Sequence, residues 1–167
     1  MGLTRQQTTM IAVLLVGAFL VVLNQTLLTP ALPTIMDNLN VSATTVQWLT
    51  SGYALVEAVI IPLNAYLIGR FSTRKLFIGG MLLFTAGSAL CAGAPSFPFL
   101  LLGRVMQACA AGVVMPMVFA LILLIFPREN RGVGMGLVGL IISFAPAMGP
   151  SVSVFELIVL VGVRSLC

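Results

Sequence analysis

Charge is what this chain of 167 residues has least of. Eight Lys or Arg and four Asp or Glu make up 7% of it, where a water-facing surface takes about 25%. Twelve charges cannot cover a globule of this size, which excludes a soluble domain. Histidine is absent, and with it go the commonest metal ligand and the usual neutral-pH proton shuttle. The three cysteines, Cys91, Cys109 and Cys167, lack CxxC spacing and two of them lie in apolar runs. They read as small packing residues, not as a disulfide or metal frame. No nucleophile–base pair, paired carboxylates, metal cluster or phosphate loop is visible, so neither an enzyme nor a cofactor-dependent protein is expected. There is no acid cluster of the kind that marks a cation filter. The net charge of +4 is too thinly spread to suggest nucleic acid as a partner.

Apolar residues fill the space that charge leaves. They form 60% of the chain before its 16 glycines are counted, so the expected solvent is lipid. Five continuous apolar stretches, at about 10–32, 46–68, 76–94, 99–124 and 133–152, reach the roughly 20 residues that a helix needs to cross a bilayer. Continuous runs, in place of ten-residue alternating segments, predict helices and not a β-barrel. The fold class expected is therefore an all-α polytopic membrane protein. The first stretch is too long for a cleavable signal, and no small-residue cleavage site follows it.

Orientation follows from where the cations sit. Arg5 precedes the first stretch; Arg70, Arg74 and Lys75 lie between the second and third; Arg128 and Arg131 lie between the fourth and fifth. The other two connections, 34–45 and 95–98, hold no Lys or Arg. All six loop cations fall on one side, which the positive-inside rule makes cytoplasmic, with the N-terminus inside. Short connections predict antiparallel neighbours in a compact bundle. Small-residue pairs Ala89 and Gly93, Ala108 and Gly112, and Gly132 and Gly136 have the spacing at which helix backbones approach closely.

Two ionisable side chains sit inside the spans, and a charge there costs at least about 2.5–3.5 kcal/mol. Glu57 shares a helix face with Tyr53 and Asn64. Such a stripe faces either a water-lined cavity, with Glu57 binding and releasing a proton, or a neighbouring helix to which a permanently protonated Glu57 donates. Arg104, with Gln107 one turn on, cannot discharge. It is solvated by a cavity, a carboxylate or backbone carbonyls, or it snorkels to the outer interface. Asn24, Gln25, Thr26 and Thr29 crowd the outer half of the first span, too many polar groups for a lipid-facing stretch, and are expected to line a cavity. Met81, Met106, Met115, Met117, Met135 and Met148 offer either an adaptable wall or plain filler. A polar-lined bundle with one titratable acid is the physical profile of a transporter.

Four runs, in order, resemble a known family. Leu23-Asn-Gln-Thr-Leu-Leu-Thr-Pro-Ala-Leu-Pro33, Gly69-Arg-Phe-Ser-Thr-Arg-Lys75, Arg104-Val-Met-Gln107 and Ala145-Pro-Ala-Met-Gly-Pro150 are similar to motifs of the major facilitator superfamily. The type they resemble is the fourteen-helix drug:proton antiporter, in wording nearest to lincomycin-resistance-type exporters. The resemblance implies a secondary active multidrug exporter of the cell membrane, of which this chain is the N-terminal portion. Protons and small hydrophobic drug-like molecules would be its substrates, lipid its surroundings, and a second transporter half its missing partner. It further implies proton coupling at Arg104, with Glu57 as the titrating acid that the residues themselves suggest. It places a cytoplasmic gate at Gly69, Arg70, Arg74 and Lys75; the polar residues themselves suggest the substrate cavity, lined by Asn24, Gln25, Thr26, Tyr53, Asn64 and Gln107. Gly69 stands where relatives carry aspartate, Ser72 where they carry glycine, and Asn24 where many carry an acid. Pro146 and Pro150 remove two backbone donors one turn apart beside Gly149, which predicts a kink near the outer end of the fifth helix. In the family this is the antiporter motif.

The resemblance runs from 10 to about 153, so the bundle is expected to occupy 1–153. Residues 154–167 read as a divergent or truncated tail, with Glu156 inside a short apolar run. The alternative function is a truncated, non-transporting membrane protein, inert or acting by association.

Overall fold

In the computed structural model, backbone structure is described for residues 5–164 and side-chain environments for residues 9–147. Among these residues the chain forms five α-helices and one 3-10 turn: α1 Arg5–Leu39, α2 Ala43–Arg70, α3 Thr73–Ala92, α4 Phe97–Ile125, the turn Arg128–Asn130, and α5 Arg131–Arg164. The described part of α1 (Thr9–Leu39), α2, α3 and α4 are each long and apolar enough to cross a membrane. The fifth expected span, 133–152, runs past residue 147, where the description of side chains stops. The backbone of α5 continues as one helix through Arg164, across much of the segment read as a divergent tail.

α1 and α2 overrun their expected spans, and the break between them is set by capping and not by hydropathy. α1 continues through Pro30 and Pro33 to Leu39. There Asn40 turns left-handed at φ 49°, and the Val41 N–H donates back to the Met36 carbonyl at 3.2 Å. Asparagine tolerates that conformation, and the back-bond satisfies a carbonyl left open at the helix end. Ser42 then caps α2, its hydroxyl oxygen accepting from the Thr45 N–H at 3.2 Å. The two-residue break at 71–72 and the four-residue break at 93–96 each reverse the chain, but only α3 and α4 then pack along their length. α2 barely meets α3 and packs on α4 instead, so a short connection did not make those two helices neighbours.

The core is apolar, but the surface is not that of a soluble protein. Large apolar side chains point outward, Leu124 at 79% and Leu140 at 68% exposure among them, while Asn64, Arg104 and Gln107 are almost wholly enclosed. That is the arrangement a hydrocarbon solvent selects.

α4 is the hub, packing against α1, α2, α3 and α5. Toward the end that carries the loop cations, its Val114, Met117, Val118 and Ile122 form a core with Ile11, Leu14 and Ala18 of α1 and Val138 of α5. Toward the other end, Ala108, Ala110 and Ala111 meet Val21, Tyr53 and Phe84. Met117 is fully buried and Met81 and Met115 pack on the core, so these three methionines are filler and not an open wall.

Of the expected small-residue contacts, Gly112 makes one: a Cβ there would come within 2.8 Å of Ile60 on α2. Gly132 and Gly136 face open space, because α5 turns Gly134, Val138 and Ala145 inward instead. Ala89 and Gly93 lie on an exposed face. The closest backbone-to-backbone approach involves Gly87 of α3 and Gly103 of α4: a Cβ on either would stand 2.8 Å from the other's carbonyl oxygen, and one on Gly103 would also crowd the Cys91 sulfur. Backbone cannot yield as a flexible side chain does. Gly103→Ala is therefore expected to lower stability by about 1–3 kcal/mol through overpacking, whereas Gly136→Ala is neutral or gains up to about 1 kcal/mol from helix propensity. Thermal unfolding of the two variants in lipid nanodiscs, followed by circular dichroism, checks the contrast.

Candidate polar site at the centre of the bundle

A guanidinium links four helices. Arg104 of α4 donates from Nη1 to Asn24 Oδ1 of α1 at 2.9 Å and to Gln107 Oε1 on its own helix at 2.8 Å. Its Cζ lies 4.7 Å from the centroid of the Tyr53 ring of α2. Gln107 Nε2 donates to Ser88 Oγ of α3 at 2.9 Å, and Ser88 Oγ donates to the Phe84 carbonyl at 2.9 Å. Arg104 is 4% exposed, Tyr53 2% and Gln107 1%. Arg104 thus points into the bundle and does not snorkel.

No carboxylate pairs with this charge among the described residues. It is held by neutral oxygens and an aromatic face, which supply charge-assisted hydrogen bonds and a cation–π contact without a counter-ion. Arg104 Nε and the Tyr53 hydroxyl have no hydrogen-bond partner there.

The remaining expected site residues fall elsewhere. Asn64 is 1% exposed and donates from Nδ2 to the Val113 carbonyl at 3.1 Å, on α4 and far from Arg104 in sequence. Val113 stands three residues before Pro116, whose missing N–H interrupts the α4 ladder, so Asn64 clamps α2 to α4 beside a weak point. Glu57 is half-buried on the α4-facing side of α2 and makes no hydrogen bond or ion pair among the described residues. The Tyr53–Glu57–Asn64 stripe does face α4, but its members serve different partners. Gln25 is exposed, and the Thr26 hydroxyl donates to the Leu23 carbonyl of its own helix at 2.9 Å.

Gly69, Arg70, Arg74 and Lys75 are exposed at the cationic end. A groove of about 790 Å³ opens beside them, lined by Thr9, Met10, Val13 and Leu14 of α1, Thr73, Arg74, Phe77 and Ile78 of α3, and Leu121 of α4. Pro146 lies on an exposed turn of α5; Gly149 and Pro150 lie outside the residues whose side chains are described. No group of three or more His, Cys, Asp or Glu able to hold a metal occurs among the described residues.

The chain has counterparts among known proteins. Residues 14–166 match the profile of the Major Facilitator Superfamily. The chain belongs to this superfamily. It is 53% identical over 144 residues to the uncharacterized MFS-type transporter YhcA of Bacillus subtilis, covering 86% of this chain and 27% of that protein. To the lincomycin resistance protein LmrB of the same organism it is 45% identical over 144 residues, covering 86% of this chain and 30% of that one. To the multidrug export protein EmrB of Haemophilus influenzae it is 34% identical over 134 residues, covering 80% and 26%. A bacterial homolog of the human lysosomal transporter Spinster shares the fold at TM-score 0.79 and 21% identity, over 89% of this chain and 31% of that one. The chain spans less than a third of the length of these relatives.

Ser88 is the one member of the network that sequence reasoning did not single out. A serine in a transmembrane helix commonly satisfies itself on its own i−4 carbonyl, as this one does, so nothing in α3 alone marks it. The signal lies in register: Ser88 follows Gly87, which is where α3 and α4 come closest.

The Tyr53 contact gives a separable test. Tyr53→Phe keeps the ring under Arg104 and removes a buried hydroxyl that has no partner, so it is expected to leave stability unchanged or raise it by up to about 1–3 kcal/mol. Tyr53→Leu removes the aromatic face, and about 0.5–2 kcal/mol of cation–π attraction should go with it. Unfolding midpoints in nanodiscs distinguish the two.

Proposed function

We propose that this chain supplies the first helices of a proton-coupled secondary transporter that exports small hydrophobic, drug-like molecules across the cell membrane, with its N-terminus in the cytoplasm. One observation carries the reading: Arg104, permanently charged, is enclosed at the junction of α1, α2, α3 and α4 with only neutral partners. Such a charge is costly to enclose, and an ionisable residue kept inside a membrane span marks a functional site. Bringing a carboxyl toward a fixed cation releases its proton, and moving it away recaptures one. Glu57 lies one helical turn from Tyr53, the residue that stacks on Arg104, and no partner pins its carboxyl. A change in helix packing that alters the separation of Glu57 and Arg104 would thereby convert conformational change into proton movement.

Family membership supports transport, and the printed names of LmrB and EmrB support export of drugs. The confinement of loop cations to one end of the bundle supports a cytoplasmic N-terminus. The outward apolar faces suit contact with lipid and with a second transporter half. Gln25, exposed beside Asn24, suits the wall of a cavity shared with that half.

The test uses inside-out vesicles from a drug-sensitive bacterium expressing the complete reading frame, energised by a proton gradient, with a fluorescent lipophilic cation as substrate. Gradient-driven accumulation should be at least about tenfold lower for Arg104→Ala, the loss of one charge-assisted contact set, with the protein still inserted in the membrane. Glu57→Gln should reduce it and flatten its dependence on pH. Undiminished coupled transport in both variants would refute the coupling roles. Accumulation no greater than in vesicles without the protein would favour a non-transporting membrane protein.

A further inference from the structure

The network around Arg104 has a direction, and the direction is forced. Guanidinium groups only donate, so Gln107 must turn its amide oxygen toward Arg104 Nη1, as it does at 2.8 Å. Its amide nitrogen then faces Ser88 and must donate, at 2.9 Å. A hydroxyl has one proton. Ser88 accepts from Gln107 and therefore sends its own proton elsewhere, to the Phe84 carbonyl at 2.9 Å. Every donor and acceptor from the α3 backbone to the α4 guanidinium is thereby fixed. A side-chain amide can rotate end for end at little cost in shape, and the flipped Gln107 would aim N–H groups at the Arg104 cation. The guanidinium, which has no lone pair to accept with, prevents that flip, and Ser88 Oγ, its own proton on the Phe84 carbonyl, accepts the N–H that the unflipped amide presents and so anchors it.

We propose that Ser88 is a positioning residue: through Gln107 it locks the Arg104 guanidinium against Asn24 and over Tyr53. The proposal deepens the coupling role assigned to Arg104 above and rests on it for its functional consequence, although not for its structural one. The close approach of Gly87 and Gly103 brings α3 near enough to α4 for this short side chain to reach Gln107. Ser88 hydrogen-bonds to Gln107 and the Phe84 carbonyl and to neither Arg104 nor Asn24 among the described residues, so its influence passes through the amide.

The sequence contains two tyrosines, and Tyr66 is an exposed one at 63%. A Tyr66→Phe background labelled with 3-fluorotyrosine therefore reports Tyr53 alone, by its fluorine NMR signal in lipid nanodiscs. The guanidinium 4.7 Å from the ring sets that signal's environment, and Arg104→Lys marks its displaced position. Ser88→Ala is expected to move the signal toward that position, and Ser88→Thr, which retains a hydroxyl on the same carbon, to leave it in place. Gln107→Leu should displace it as well, and the double variant Ser88→Ala with Gln107→Leu no further than Gln107→Leu alone. In the vesicle assay, Ser88→Ala should lower the gradient-driven rate about three- to tenfold, the worth of a hydrogen bond to a positioned polar group, at unchanged KM for the drug, with Ser88→Thr restoring it. A Tyr53 signal that ignores Ser88→Ala, or that responds equally to Ser88→Thr, overturns the positioning role. If the fluorine shifts appear as expected while no variant, nor the parent protein, couples transport to protons, the positioning role stands and the coupling reading fails.

Discussion

The rest of the bundle is arranged around a cation that cannot be neutralised by losing its proton. Arg104 keeps its charge at any physiological pH, and the bundle meets that demand with dipoles drawn from three other helices. Asn24 contributes from α1, Tyr53 from α2, and Ser88 by way of Gln107 from α3. The consequence is positional. Each of those helices must present one particular residue at one depth, so the mutual register of α1 to α4 is specified by polar contacts while van der Waals packing supplies the cohesion. In hydrocarbon, where side chains gain little by leaving the solvent for one another, such contacts select among packings that apolar surfaces leave nearly equivalent.

Glycine and alanine make the register attainable. Gly87 and Gly103 let α3 and α4 meet backbone to backbone, and Gly112 admits Ile60 of α2. Ala108, Ala110 and Ala111 carry no bulk into the centre. With α4 thus stripped of volume, it can be touched by four helices at once, and its two long polar side chains, Arg104 and Gln107, can be enclosed by them. Asn64 adds a second tie from α2, to the Val113 carbonyl near Pro116. The two polar anchors on α4 therefore lie on opposite sides of its middle, one toward each end of the bundle.

Much of this was legible in the sequence because lipid imposes a strong filter on composition. Continuous apolar runs located the helices, the distribution of six loop cations ordered their ends, and the scarcity of ionisable residues in the spans drew attention to Arg104. Asn24, Tyr53 and Gln107 were legible as polar intrusions, and all three converge on that arginine. Which helix faces meet was much less legible. Gly132 and Gly136 have the same spacing as Ala108 and Gly112, yet only the latter pair is buried, since spacing defines a face without saying whether a neighbour covers it. Ser88 escaped notice for a related reason: its own helix satisfies its proton, and only the adjacent helix reveals that its lone pair is in use. Glu57 shares a face with Tyr53 and Asn64 as its spacing requires, but sharing a face did not place it in the network.

The central claim is that Arg104 is held inside the protein by neutral oxygens and not at the membrane surface by lipid phosphate. Solid-state NMR of the chain in phospholipid bilayers measures this directly, with guanidinium-15N arginine, side-chain-carbonyl-13C asparagine, and Arg104→Lys used to isolate the Arg104 signal by difference. Dipolar coupling between the Arg104 guanidinium nitrogens and the Asn24 carboxamide carbon, without coupling to lipid 31P, is the predicted result, consistent with the 2.9 Å hydrogen bond. Strong coupling to 31P with none to Asn24 would contradict it.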